Sequence, residues 1–271
     1  MSGSIVTGRQ KLSLGVFKFA SCDGCQLSLL DIEADLLQLG SAVDIAYFLE
    51  ATSVTRPGPY DLALVEGSIT TPDDAKRIQR IRAESRKLVT IGACATSGGI
   101  QALRNWADHE EFVRMVYPHP EFLSTLATST AISDHVPVDF ELRGCPVNQR
   151  QLVEVVRALV AGRRPRIPTH SVCLECKRQG NVCVAVAQDI PCLGPVTQAG
   201  CGAICPSYDR GCYGCFGPAA QANLVSITAK LASSGASPAE VANHLRGMNA
   251  NAPEFRTASD NITSLQSGDR Q

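Results

Sequence analysis

The chain has 271 residues, 44% of them hydrophobic, with twelve cysteines and a formal net charge of -1. That length suits one large domain or a domain with an appendage, and the near-neutral charge without a long Lys or Arg run argues against a nucleic-acid scaffold or a polybasic membrane anchor. No segment reaches the roughly 18 consecutive apolar residues of a membrane span, so none is expected.

In chain order, residues 1–10 carry neither an apolar stretch of signal-peptide length nor a twin arginine, so no exported leader is expected. Residues 12–20 read as a strand, followed by the Cys22–Cys25 loop and a helix over 26–39 with Leu27, Leu30, Ala34 and Leu37 at helical spacing. Val43–Leu49 and Tyr60–Val65 are further strands, the latter running into Glu66-Gly67. Thr71 and Pro72 open a charged helix over 72–86. Leu88–Gly92 is a strand leading into Cys94, and Phe140–Arg143 a short one leading into Gly144-Cys145-Pro146. A helix is expected over 148–161.

This alternation predicts an α/β fold, a parallel sheet with helices on both faces. Ligands of such sheets sit at the carboxyl ends of the strands. Cys22, Cys25, Cys94 and Cys145, with Glu66, all fall just after predicted strands, so residues distant in sequence converge on one edge.

After Pro168 the texture changes. Residues 170–218 hold eight cysteines with many Gly and Pro and little periodicity, which predicts an irregular metal-binding domain. Residues 219–248 return to helical sequence, with Ser237-Pro238-Ala239-Glu240 as a capping box, and 250–271 read as a polar, frayed tail. The expected division is 1–165, 166–218 and 219–271.

A cytoplasmic protein is expected, and there cysteines bind metal, do redox work or simply pack. Four thiolates suit either zinc or a cubane. Zinc sites usually use two close pairs, whereas Cys22-x-x-Cys25, Cys94 and Cys145 are one pair and two singles; Cys145-Pro146 resembles the Cys-Pro of bacterial ferredoxins. Cys173, Cys176, Cys183 and Cys192 form a second compact group, and Cys201, Cys205, Cys212 and Cys215 a third. Twelve cysteines make three complete sets with none over, which favours three [4Fe-4S] clusters with zinc as the competing occupant. His170, three before Cys173, is an alternative ligand, and Glu66 is a candidate for cluster tuning or proton relay against a plain strand-end role. Trp106 reads as a packing anchor; His109, His119, His135 and His244 have no ligand spacing with cysteine.

Ser21-Cys22-Asp23-Gly24-Cys25-Gln26, Glu66-Gly67, Gly92-Ala93-Cys94-Ala95, Gly144-Cys145-Pro146, the run from Cys192 to Cys201 and Cys212-Tyr213-Gly214-Cys215 together resemble the small subunit of [NiFe] hydrogenases. The nearest subtype is similar to the delta subunit of cytoplasmic bidirectional, NADP-reducing hydrogenases (sulfhydrogenases). The resemblance implies a flavodoxin-like N-terminal domain, and a proximal cluster on Cys22, Cys25, Cys94 and Cys145 beside the nickel–iron centre of a separate large subunit. It also implies a medial cluster on Cys201, Cys205, Cys212 and Cys215 and a distal one on Cys173, Cys176, Cys183 and Cys192.

The function expected from it is a non-catalytic redox subunit of an H2:NAD(P)+ oxidoreductase, passing electrons to a flavin-containing diaphorase subunit alongside a further iron–sulfur subunit. The alternatives are the same relay in an F420- or heterodisulfide-reductase-linked hydrogenase, and a structural metal-binding scaffold.

Overall fold

The computed structural model describes residues 11–32, 35, 40 and 42–268. Strands β1 (Leu12–Lys18), β2 (Val43–Phe48), β3 (Tyr60–Glu66), β4 (Ser85–Ile91) and β5 (Phe140–Leu142) form an all-parallel sheet in the order β2-β1-β3-β4-β5. This is a doubly wound, flavodoxin-like order; the sequence predicts the parallel sheet, and the resemblance implies its flavodoxin-like form. Around the strands lie helices α1 (Gly24–Leu30), α2 (Pro72–Ala83), α3 (Gly92–Ser97), α4 (His109–Val116) and α5 (Gln149–Val160), with a 3-10 segment at Ile100–Trp106.

Period-two alternation in the strands creates two apolar faces. Leu14, Val16, Leu62, Leu64, Val89 and Ile91 pack against Leu29 of α1 and Leu152, Val153, Val155 and Val156 of α5. Phe17, Ala63, Val65 and Leu88 pack on the other face against Ile78 and Ile81 of α2. Each fully buried side chain of this kind contributes roughly 1.5–3 kcal/mol. Caps set the helix starts: Thr71 Oγ1 accepts from Asp74 N–H at 3.1 Å, and Asn148 Oδ1 accepts from Gln151 N–H at 3.1 Å.

Two stretches differ from expectation, and a third is described only in part. The charged helix ends at Ala83, and β4 starts at Ser85 rather than Leu88, because Ser85 and Lys87 pair with Tyr60 and Leu62 of β3. α1 is described to Leu30; of the expected run, 33–34 and 36–39 lie outside the described residues. The expected frayed tail is instead a helix, α10 (Pro253–Gly268).

The cysteine-dense stretch contains two short helices, α6 (Val172–Arg178) and α7 (Val184–Ala187). Its small buried cluster is Val172, Val184 and Ala203 together with Cys176, Cys192 and Cys212, so half of its apolar centre is thiol. The C-terminal helices α8 (Leu224–Ser233), α9 (Pro238–Leu245) and α10 share a further core of Leu193, Val196, Ile227, Leu231, Val241, Leu245 and Phe255. The expected capping box opens α9: Glu240 N–H donates to Ser237 Oγ at 3.3 Å, and Ser237 N–H donates to Glu240 Oε2 at 2.7 Å. Trp106 is the joint between the sheet side and these helices. Its Nε1 donates to Asp260 Oδ1 at 2.7 Å, and the guanidinium groups of Arg246 and Arg256 lie 4.8 and 5.4 Å from its ring centre.

Candidate metal centres

The strand order reverses between β1 and β3, the position at which an open α/β sheet presents a ligand crevice. The loop after β1 carries Cys22 and the first turn of α1 carries Cys25, β3 ends at Glu66, β4 runs directly into α3 with Cys94, and β5 leads through Gly144 to Cys145. The sheet therefore gathers residues separated by more than a hundred positions.

These four cysteines are electrostatic neighbours. Burial pushes the Cys25 thiol far above its ordinary range, with the Glu66 carboxylate next in weight and Cys94 and Cys145 adding to it. Burial likewise pushes Cys94 up to about 11; the Gln101 side chain opposes it, while Cys145 and Cys22 reinforce it. Gly92 makes this closeness possible. It adopts φ +86°, and a Cβ there would stand 2.4 Å from Cys25 Sγ. Cys22 and Cys145 are exposed and Cys25 is buried, so the set opens outward at one side.

Glu66 is 1% exposed. Its Oε1 accepts from the Cys25 N–H at 3.0 Å. The side chain of Asp23, before the first turn of α1, caps nothing and is paired with Lys18, so Glu66 reaches across from β3 to serve that helix start. Burial raises its pKa, against the pull of the Gln26 side chain and the Cys25 N–H, and its Oε2 is buried without a hydrogen-bond partner. The strand-end role and closeness to the first cysteine set are both present.

Cys173, Cys176, Cys183 and Cys192 also come together. Burial pushes Cys173 up to about 11, with Cys192, Cys176 and Cys183 adding. His170, the alternative ligand, turns Nδ1 to the Ser171 carbonyl oxygen at 3.2 Å. In the remaining group, burial pushes Cys215 up to about 12, reinforced by Cys212, Cys201, Cys145 and Cys205. Burial pushes Cys212 up to about 12 as well; the Gly214 N–H and Thr197 hydroxyl oppose it, and Cys192 and Cys201 reinforce it.

Two of these neighbours cross between sets. Cys145 of the first set acts on Cys215, and Cys192 acts on Cys212. The second crossing is also a bond: the Cys212 N–H donates to Cys192 Sγ at 3.2 Å. Close backbone approach allows it, since a Cβ on Gly211 would fall 1.8 Å from the Pro191 carbonyl oxygen. The set of Cys201, Cys205, Cys212 and Cys215 thus neighbours each of the other two.

Among the described residues, no three His, Cys, Asp or Glu side chains converge on a point as the ligands of a single ion would. The cysteines of each set are nevertheless neighbours of one another. The four thiolates per set, the sulfur-directed N–H of Cys212 and the scarcity of other core material around them fit iron–sulfur chemistry. His109, His119 and His135 pair with Thr125, Glu121 and Thr130.

Known proteins are similar to this chain. The family described as NADH ubiquinone oxidoreductase, 20 Kd subunit, matches residues 22–159. Sulfhydrogenase 2 subunit delta of Pyrococcus furiosus is 38% identical over 213 residues, covering 79% of this chain and 89% of that protein. One subunit of the F420-non-reducing hydrogenase vhu of Methanocaldococcus jannaschii is 33% identical over 236 residues, covering 76% of this chain and 82% of its own. Among solved structures, a chain of the NAD+-reducing [NiFe]-hydrogenase in the H2-reduced state superposes with a TM-score of 0.54 at 28% identity, covering 59% of this chain and 96% of that one.

Proposed function

The chain belongs to the NADH ubiquinone oxidoreductase 20 Kd subunit family, among its hydrogenase iron–sulfur subunits, and from that premise we propose that it is the electron-relay subunit of a cytoplasmic [NiFe] hydrogenase working through three [4Fe-4S] clusters. Cys22, Cys25, Cys94 and Cys145 would hold the cluster beside the large subunit. Cys201, Cys205, Cys212 and Cys215 would hold the middle one, and Cys173, Cys176, Cys183 and Cys192 the outer one. When bound, such clusters supply one-electron storage and transfer at potentials set by their surroundings. The residues of this chain contribute position, burial and hydrogen bonds to sulfur. Domains at 1–165, 166–218 and 219–271 divide that work into sheet, cluster segment and helical brace.

The observation that carries the reading is that one cysteine set neighbours both others, through Cys145–Cys215 and Cys192–Cys212. Adjacent sets serve transfer, whereas a scaffold has no use for such adjacency. The proposed partners are a large subunit with the nickel–iron site, a flavin-containing diaphorase subunit and a further iron–sulfur subunit, with NADP or NAD as acceptor. Support for a nicotinamide acceptor comes from likeness to the NAD+-reducing enzyme.

A second acceptor class has its own support. The likeness to the F420-non-reducing hydrogenase covers 76% of this chain, against 59% for the NAD+-reducing structure. That reading keeps the relay and replaces the diaphorase with a heterodisulfide-reductase type of partner.

The test is metal and subunit analysis of the complex purified under anoxic conditions. About twelve irons and twelve sulfides per chain, no stoichiometric zinc, a nickel-containing partner and a flavoprotein are expected. Four irons or fewer per chain would overturn the three-cluster reading. H2-dependent reduction of NADP or NAD decides between the two acceptor classes.

A further inference from the structure

Asn249 lies between α9 and α10, far from every cysteine in sequence, yet it is 2% exposed and bonded at both ends of its side chain. Its Nδ2 donates to the carbonyl oxygens of Gly214 and Cys215, at 2.9 and 3.0 Å. With two carbonyls facing the nitrogen, the orientation of the amide is fixed, and Oδ1 must accept. The donor is the Ser97 hydroxyl at 2.9 Å. Ser97 lies one turn along α3 from Cys94, and the same hydroxyl stands 2.9 Å from the Ala93 carbonyl oxygen.

One side chain therefore joins the helix of Cys94 to the peptide of Cys215. These belong to the first and middle cysteine sets, which neighbour one another through Cys145 and Cys215. Gly217, at φ +69°, keeps the approach open, since a Cβ there would come within 3.2 Å of Asn249 Oδ1. Asn249 in turn is held in place, because the Ala252 N–H donates to its carbonyl oxygen at 2.9 Å and α9 and α10 pack around Phe255 and Leu245.

We propose that Asn249 is a positioning residue that fixes the separation of the first and middle clusters, and that the C-terminal helices exist to deliver it. The proposal rests on the ligand sets given above. A buried amide with both ends engaged resists displacement, because breaking either end strands a desolvated polar group at about 1–3 kcal/mol. A leucine at this place keeps the branched heavy-atom skeleton, with more bulk, and loses all three bonds. Other ties between the two regions exist, such as Arg143 Nη1 to the Pro218 carbonyl oxygen at 2.9 Å. The Asn249 tie differs in reaching the backbone of a proposed ligand.

The test uses the complete hydrogenase complex carrying Asn249→Leu, and separately Ser97→Ala, which removes the donor to Oδ1 and, within α3, its contact with the Ala93 carbonyl oxygen. In the wild type, electron paramagnetic resonance of the reduced complex is expected to show spin–spin coupling between the first and middle clusters. If it shows none, or if iron falls short of three clusters, the underlying ligand reading fails. With that coupling present, Asn249→Leu at full iron content is expected to weaken it and to slow transfer between the two clusters, and Ser97→Ala to shift it in the same direction by less. Unchanged coupling in an iron-replete Asn249→Leu complex would overturn the proposal. Should that variant not assemble, unchanged coupling in Ser97→Ala overturns it.

Discussion

At Gly92 the chain passes from β4 into α3 with φ +86°, so tightly beside Cys25 that a methyl group would meet its sulfur. Gly92→Ala therefore incurs two penalties. An L-residue in a left-handed conformation costs about 1–2 kcal/mol, and Cys25 Sγ must move. The expected outcome in the purified complex is loss of the cluster at Cys22, Cys25, Cys94 and Cys145, with the other two retained, read by iron content and low-temperature spectra. A first-cluster signal of wild-type intensity would refute it. The cysteines were legible at this scale because each follows a strand or sits in a short-spaced group. Glu66 was legible as a strand-end carboxylate, though not as the acceptor for the start of α1. Asn249, Ser97 and Gln101 were invisible: each is a single polar residue in a stretch without motif or period, and only the fold brings it to a cysteine-bearing segment.

Asp139 shows how single contacts define elements. Its Oδ2 accepts from Arg82 Nη1 at 2.8 Å and from the Leu88 N–H at 2.9 Å, and its Oδ1 accepts from Lys87 Nζ at 2.8 Å. It thereby fastens the approach to β5 onto β4 and the end of α2. Burial opposes the charge, but the Lys87, Leu88 and Arg82 contacts outweigh it and hold the carboxyl below its usual range. A depressed carboxyl pKa stabilises the fold above the unfolded-state value, about 3.9, and that contribution is lost as pH falls through the folded value. Asp139→Asn is expected to lose roughly 1–3 kcal/mol at neutral pH in denaturant titrations. The difference from wild type should shrink as pH drops from about 5 toward 3; a gap that stays constant with pH would contradict this account. The same contacts explain why the start of β4 was missed. Ser85-Arg86 reads as the charged end of the preceding helix, and only pairing with β3 makes it a strand. α10 was missed for a related reason. Its sequence is mostly polar, and Phe255, Ala258 and Ile262 make a narrow apolar stripe that needs α8 and α9 to have meaning.

The whole molecule divides its sources of stability unequally. The sheet has two apolar faces of large side chains, while residues 170–218 centre on a cluster in which three of the six buried members are cysteines. Iron removal by a chelator is expected to unfold that segment and spare the sheet, because the metal supplies what the missing core does not. Limited proteolysis after chelation should cut within 170–218 and leave the region of β1 to α5 intact; simultaneous digestion of both would show that the two parts stand or fall together. That difference was legible in composition, whereas the way the C-terminal helices brace the assembly was not. The joint at Trp106 has a practical side. It is the sole tryptophan of the chain, stacked beneath two arginines of the C-terminal helices and tethered to a third residue there. The ultraviolet emission of the protein is thus an optical gauge of one seam, and its colour and intensity will report, without any label, whether that brace is seated.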